Sequence, residues 1–355
     1  MNDSGNVIAC IWDFDKTLIP GCMQAPLFRE YAIDESAFWK VVNDLPLQMR
    51  RYGIRISETL AYLNCLLELV KMRRLPGLSK KKLAKYGQQL TFYPGIPEIF
   101  SELKKDVESD KQCQNNGITL EHYIVSSGNV ETIRGSKIAP WVDDIFACEF
   151  LENEMGIESR RFLEQIAEKQ IGFSNETAEE KSDEGEKIYE NANQMIFSEN
   201  GGATSEKEER EITQIAYVVD NTQKTRCLFE INKGSNKNMA IDVNTKIEDR
   251  NRRIPFKNMI YIADGPSDIP AFSLIRSQGG KAFAVYNPAS DREFEQNDRM
   301  LAEGRIDAYG PADYRLEAPT AKWIRMHVQR IVQRILRERE LLNDKFLKKS
   351  PEHFH

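Results

Sequence analysis

Three short apolar runs, far apart in the chain, each end abruptly in oxygen-bearing side chains or their neighbours. Residues 8–12 lead into Asp13 and Asp15, and residues 122–125 lead into Ser126, Ser127 and Gly128. Residues 259–263 lead into Asp264, with Asp268 beyond a tight turn at Gly265 and Pro266. Runs of this length read as buried strands, and open α/β sheets place their chemistry at the carboxyl ends of such strands. On an extended strand Asp13 and Asp15 point to one side, with Phe14 turned into the core. Two like charges that close repel, so the pair makes sense mainly around a cation. Taken alone, this strand end fits an Asx-type turn equally well. Three apolar strands ending in Asp-x-Asp, Ser and Asp-x-x-x-Asp are a poor match to three unrelated turns. Together they describe a magnesium-dependent phosphate site.

The rest of the chain alternates in a way that fits. Strands are expected near 119–126, 145–148, 259–263, 281–285 and 306–309, with a helix from about 129. This βα alternation predicts a doubly wound, Rossmann-like parallel sheet with helices on both faces, converging Asp13, Ser126 and Asp264 at one edge. Between Thr17 and about residue 90 the pattern is helical instead. Ser57 is placed to cap a helix carrying Leu60, Leu63, Leu67 and Val70, Pro76 and Gly77 close it, and Ser79 opens a basic helix. The expected organisation is an α/β core over 1–19 and 91–320, a helical module over 20–90, and an amphipathic helix within 321–355. Polar insertions are expected at about 152–214, with an acidic block at 176–190 and a turn at Gly201 and Gly202, and at about 234–256. The apolar stripe of the last helix, including Trp323, Ile324, Val328, Ile331, Ile335, Leu336 and Leu342, suits packing on the domain or on a second subunit, with Arg330, Arg334 and Arg337 facing elsewhere.

Composition narrows the function classes. The 355 residues carry a formal charge of -6, which argues against nucleic-acid binding driven by global electrostatics. No apolar run reaches the roughly 20 residues needed to span a bilayer, and no secretory signal opens the chain. Cys10, Cys22, Cys65, Cys113, Cys148 and Cys227 are scattered without a Cys-x-x-Cys pair, so reduced thiols in a cytoplasmic protein are expected. Oligomeric state is not legible.

Asp13, Phe14, Asp15, Lys16 and Thr17 match the Asp-x-Asp-x-Thr/Val motif without a gap. Together with Ser126, Asp264 and Asp268, the chain resembles the haloacid dehalogenase-like (HAD) superfamily, specifically its phosphoserine phosphatase-like branch with a helical cap. The resemblance covers about residues 7–310. It implies Asp13 as a nucleophile forming an aspartyl-phosphate, and Asp15 as general acid, then base. It implies Mg²⁺ held by Asp13, the backbone carbonyl of Asp15 and Asp264, with Asp268 behind them or an occasional direct ligand. Ser126 would hydrogen-bond the phosphate, aided by the Ser127 and Gly128 amides. The family's third motif is a lysine, for which Lys224 near a helix start is the first candidate and Lys233 the second; Lys257 lies too close to the 259–263 strand. The aspartate at position 15 favours a phosphatase or phosphotransferase over a dehalogenase.

The implied activity is hydrolysis of a small phosphorylated metabolite. A phosphotransferase using the same intermediate, and a non-catalytic regulatory module with this fold, are the alternatives. Phosphoserine itself is a doubtful substrate, because Cys22 stands about where the phosphoserine phosphatases carry a glutamate for the substrate amine. Gln24, Arg29, Arg50 and Arg51 are candidate substrate contacts, with solvated surface charge as the ordinary reading of the arginines.

Overall fold

The computed structural model describes residues 5–152 and 210–347. The acidic block at 176–190 and the turn at Gly201 and Gly202 lie outside these residues. β1 (Val7–Trp12) is buried at every position. Val7, Ala9 and Ile11 enter one apolar cluster, and Ile8, Cys10 and Trp12 enter another on the opposite face. A strand that buries both faces has no polar side to show, which is why it reads in sequence as a continuous apolar run.

After β1 come α1 (Ala25–Glu30), α2 (Glu35–Arg50), α3 (Glu58–Lys71) and α4 (Lys80–Gly87). α5 (Glu98–Glu108) and α6 (Lys111–Asn115) precede β2 (Thr119–Asn129), and α7 (Val130–Arg134) leads to β3 (Asp144–Leu151). β4 (Gln214–Tyr217) is followed by α8 (Gln223–Lys233), then β5 (Met259–Ala263) and α9 (Ile269–Ser277). β6 (Lys281–Tyr286), α10 (Asp291–Ala302), β7 (Ala308–Pro311) and α11 (Pro319–Leu347) complete the described chain.

The seven strands form one sheet in the order β4-β3-β2-β1-β5-β6-β7. All neighbours pair in parallel except β3 and β4. The expected doubly wound parallel sheet is therefore present, with one antiparallel edge strand that the sequence pattern did not show. β4 is only partly buried, as an edge with one wet side allows. Helices α1–α4, α8 and α9 feed the first apolar cluster, while α5, α6, α7 and α11 feed the second. The chain leaves β1 toward β2 on one side and later leaves β5 toward β6 on the other. The topological switch point thus lies between the carboxyl ends of β1 and β5, where Asp13 and Asp264 follow their strands.

The helices between β1 and α5 start where their hydroxyls predict. Ser57 Oγ accepts from the Leu60 N–H (3.3 Å) and Ser79 Oγ from the Lys82 N–H (3.1 Å). α4 meets α7 backbone to backbone. A Cβ on Gly87 would stand 2.0 Å from Thr132 O, and one on Gly135 would stand 1.9 Å from Ala84 O. Only glycine permits that approach, and it ties the inserted helices to the helix that follows β2. α11 packs on the domain through Ile324, Val328, Ile331, Ile335 and Leu336. Arg334 does not face away as expected: it is half-buried, donating to Lys257 O (2.7 Å) and Asn258 Oδ1 (2.6 Å).

His122 on β2 is fully buried beside Trp12. The Trp12 indole N–H donates to Nδ1 (3.2 Å), and Nε2–H donates to Phe100 O (3.0 Å), so the ring is neutral. Burial, aided by Lys104 and opposed by the Phe100 carbonyl, pulls its pKa down to about 3. The unfolded chain takes up this proton below its ordinary pKa near 6.5, whereas the native state refuses it until about 3. Stability from this group is therefore complete above about pH 6.5 and is lost as pH falls toward 3. Urea unfolding should show about 2 kcal/mol lost between pH 7 and pH 5 from His122. A His122→Gln variant should show a shallower slope over that window; an unchanged slope would rule this histidine out as its source.

Candidate active site

Strand register brings the predicted strand ends together. Trp12 pairs with Ile124 of β2 and with Ile262 of β5, and the Asp13 N–H continues the ladder to Ile262 O (2.9 Å). Asp13 and Asp264 consequently follow the ends of adjacent strands, and Ser126 stands within β2 on the other side of β1, one residue beyond the level of Asp13. Beyond Asp13 the chain turns tightly: Lys16 adopts a left-handed conformation (φ 56°), and its N–H donates to Gly21 O (3.2 Å). Thr17, fully buried, donates its hydroxyl to Asp13 Oδ2 (3.4 Å).

Lys224 reaches this point from the first turn of α8. Its side chain is 1% exposed, and Nζ donates to Asp13 Oδ1 (2.9 Å) and to Asp268 Oδ1 (2.7 Å). Lys233 is elsewhere, with Nζ on the carbonyls of Val243 (2.5 Å) and Thr245 (2.7 Å). Lys257 pairs with Glu338 on α11. Of the three lysines weighed from sequence, Lys224 alone touches Asp13 among the described residues.

Asp268 is held from three directions. Besides Lys224, the Tyr261 hydroxyl donates to Oδ1 (2.5 Å) and Ser267 Oγ donates to Oδ2 (2.8 Å). Carboxylate oxygens of Asp13, Asp264 and Asp268 nonetheless lie within 4.8 Å of one another, close enough to share a metal ion. Asp15 stands apart from that group, its Oδ1 accepting from the Met23 N–H (2.9 Å).

The electrostatics follow from crowding these groups in a buried space. Burial and the Asp268 charge raise the Asp13 pKa to about 6 against the pull of Lys224. Burial, then the charge of Asp13, pushes Asp15 up to about 8, opposed by the Met23 N–H. Burial with the charges of Asp13 and Asp268 holds Asp264 well above the carboxylate range. Burial works against the Lys224 ammonium, but Asp13 and Asp268 overcome it and hold its pKa above the ordinary lysine value. Asp13 and Asp268 thus share one buried ammonium, and Asp264 stands beside them. A divalent cation fits that donor set, because hard oxygen ligands and an excess of negative charge are what Mg²⁺ requires.

On β2, Ser126 is buried and its Oγ accepts from the Gly128 N–H (3.1 Å). That amide faces the serine, while Ser127 is partly exposed. The cap of α7 is Asn129, whose Oδ1 accepts from the Thr132 N–H (2.8 Å), so Ser126 is not the helix cap. Of the candidate substrate contacts, Arg29, Arg50 and Arg51 are exposed, Cys22 is partly exposed, and Gln24 is buried. Gln24 bonds Tyr62 of α3, and Met23 packs on Gly128. Met23, Tyr62 and Tyr261 were missed from sequence. Each reads there as an ordinary apolar core residue, and no local signal marks its polar contact.

No described helix is long and apolar enough to cross a membrane. The six cysteines are free. No protein-family model matches the chain. Among solved structures, a HAD family hydrolase from Salmonella enterica subsp. enterica serovar Typhi aligns at a TM-score of 0.43 with 12% identity, over 86% of this chain and 67% of that one. A phosphoserine phosphatase in apo form aligns at a TM-score of 0.41 with 14% identity, over 85% of this chain and 92% of that one. At scores this low the likeness supports no functional conclusion. An uncharacterized protein of Borreliella burgdorferi is 32% identical over 328 residues, spanning 91% of this chain and 97% of its own length. Identity at that level across nearly the whole of both chains places this protein in one family with the Borreliella burgdorferi protein.

Proposed function

We propose that this protein is a Mg²⁺-dependent, HAD-like phosphomonoesterase that hydrolyses a small phosphorylated metabolite in the cytoplasm. The observation that carries the reading is Lys224 Nζ bridging Asp13 and Asp268 at the sheet's switch point, with Asp264 beside them. Asp13 and Asp264, with the Asp15 carbonyl, would hold the metal. Asp268 already accepts hydrogen bonds from Lys224, Tyr261 and Ser267, and serves chiefly to orient the lysine. Bound there, Mg²⁺ would offset the negative charge of the site and of an incoming phosphate.

Within this reading the chain's own groups divide the work. An Asp13 carboxylate oxygen attacks phosphorus, the ester P–O bond breaks, and Asp15 passes its proton to the leaving alkoxide. The pKa of Asp15, raised to about 8, keeps it protonated at neutral pH for that step. The Met23 N–H fixes Oδ1 and leaves the other oxygen to carry the proton. Asp15 then takes a proton from the water that hydrolyses the aspartyl-phosphate. Lys224, the Ser126 hydroxyl and the Ser127 amide receive the phosphate oxygens, whereas the Gly128 amide, expected among them, is taken up by Ser126 Oγ. Residues 20–90 act as a helical cap that excludes water.

The deciding experiment is hydrolysis of p-nitrophenyl phosphate before and after chelation with EDTA. Activity should fall at least 100-fold on chelation and return when Mg²⁺ is added in excess. Absence of hydrolysis in both conditions, or equal rates in both, would falsify the reading.

A further inference from the structure

A cavity of about 550 Å³ opens at the end of the sheet opposite the candidate active site. Gly5 and Asn6, which lead into β1, line it together with Pro255 and Lys257, which lead toward β5. It therefore lies at the amino ends of the two strands whose carboxyl ends carry Asp13 and Asp264. The six-residue length of β1, about 20 Å, separates the two places. The volume falls within the roughly 300–1,000 Å³ of small-molecule sites.

The lining carries an excess of positive charge. Arg250, Arg252, Lys257 and Arg339 stand against two carboxylates, Asp249 and Glu338. Asp249 is taken by Arg252 (3.0 Å), and Glu338 accepts from Lys257 with both oxygens (2.8 Å). Arg250 bonds Glu248 through Nε (2.8 Å), and its two Nη groups have no partner among the described residues. Arg339 meets no carboxylate among those residues; its Nη1 donates to Asn116 O and Oδ1, and its Nε and Nη2 stay open. Beside Lys257, Arg334 donates through Nη2 to neutral oxygens, while its Nε is buried without a hydrogen-bond partner. Glu338, 3.8 Å away, is the carboxylate that Lys257 already holds, and burial pulls the Arg334 pKa down against it. With Arg334 and Glu248 included, five cations meet three carboxylates.

A concave wall of one charge sign concentrates ions of the other. Open guanidinium forks match the oxygens of a phosphate or phosphonate, and an excess of two positive charges matches a dianion. Pro255, Phe256 and Ile335 give the same cavity an apolar side. We propose that this cavity is a second ligand site, separate from the candidate active site, for a small organic phosphate with an apolar body. Arg250 and Arg339 receive its dianionic head, and Phe256 and Ile335 carry its body. A ligand held there joins the loop before β5 to α11.

Titration calorimetry of the full chain with phenylphosphonate, whose P–C bond resists hydrolysis, tests the site. The titration is run with EDTA in about 0.15 M NaCl, which screens loose surface attraction. The wild-type protein should bind the probe, and Arg339→Gln should weaken that binding about 10-fold or more. Benzyl alcohol, which keeps the ring and lacks the charge, should bind the wild type about 10-fold or more weakly than the phosphonate. Should Arg339→Gln yield no folded protein, Arg250→Gln, a change at an exposed side chain, decides by a loss of about threefold or more. No binding to the wild type up to about 10 mM probe overturns the proposal. So does an affinity that the variant leaves in place, which would put the probe elsewhere, or equal binding of the alcohol.

Discussion

Asp13→Asn is expected to reduce Mg²⁺-dependent phosphatase activity by about 10⁴-fold or more while leaving the fold intact. The substitution is nearly isosteric, and the amide oxygen can still accept from Lys224, which lies 2.9 Å from Asp13 Oδ1. What it removes is the carboxylate proposed as the nucleophile. Folding should tolerate the change, because the native site holds the Asp13 pKa up near 6. A carboxylate whose folded pKa is raised binds its proton more tightly in the native state, so its ionisation at higher pH works against folding. Neutralising it relieves that repulsion, and thermal unfolding of the metal-free variant should occur at or above the wild-type temperature. Full activity in Asp13→Asn would remove Asp13 as nucleophile. A collapse of the melting temperature would show instead that its charge supports the fold.

The second large effect belongs to Lys224→Met. Lys224 is fully buried and is the ammonium shared by Asp13 and Asp268. Deleting it strands two buried carboxylates without their counterion, a change that costs about 3–5 kcal/mol. Catalysis should fall by about 10²–10³-fold in the protein that folds, because a positive charge aimed at the phosphate is lost. The stability loss should be greatest near pH 8 and shrink toward pH 5, where the stranded carboxylates can take up protons. Urea unfolding at the two pH values measures this directly. Lys233→Met is the control: its ammonium rests on the Val243 and Thr245 carbonyls, so turnover should stay within about twofold of wild type. Equal losses in the two variants would leave Lys224 with no special part in the reaction.

Much of the site's skeleton was legible because its signals are local. A carboxylate directly after a buried strand declares its position at the sheet edge, and Asp13 and Asp264 are found there. Ser57 and Ser79 announce the helices they cap, since the capping bond spans only three residues. Lys224 stood out at a helix start, where a cation opposes the helix dipole and asks for another partner. β4 escaped notice because a four-residue, half-buried edge strand carries almost no periodic signal, and its partner β3 is separated from it by a long polar stretch. Arg334 was misplaced because helical spacing does not show that the chain before β5 presents a carbonyl to it.

Asp13, Asp15, Ser126 and Asp264 follow from the sequence by itself, because strand ends and their spacing are properties of short segments. Which lysine meets Asp13, how Asp268 is held, and which side chains meet Gln24 and Met23 were decided only in three dimensions. Lys224 lies 211 residues from Asp13, Tyr62 lies 38 from Gln24, and Asn129 lies 106 from Met23. Contacts over such separations depend on strand order, register and the close crossing of α4 on α7. Those are set by burial of both faces of the sheet at once, which no single segment of the chain encodes.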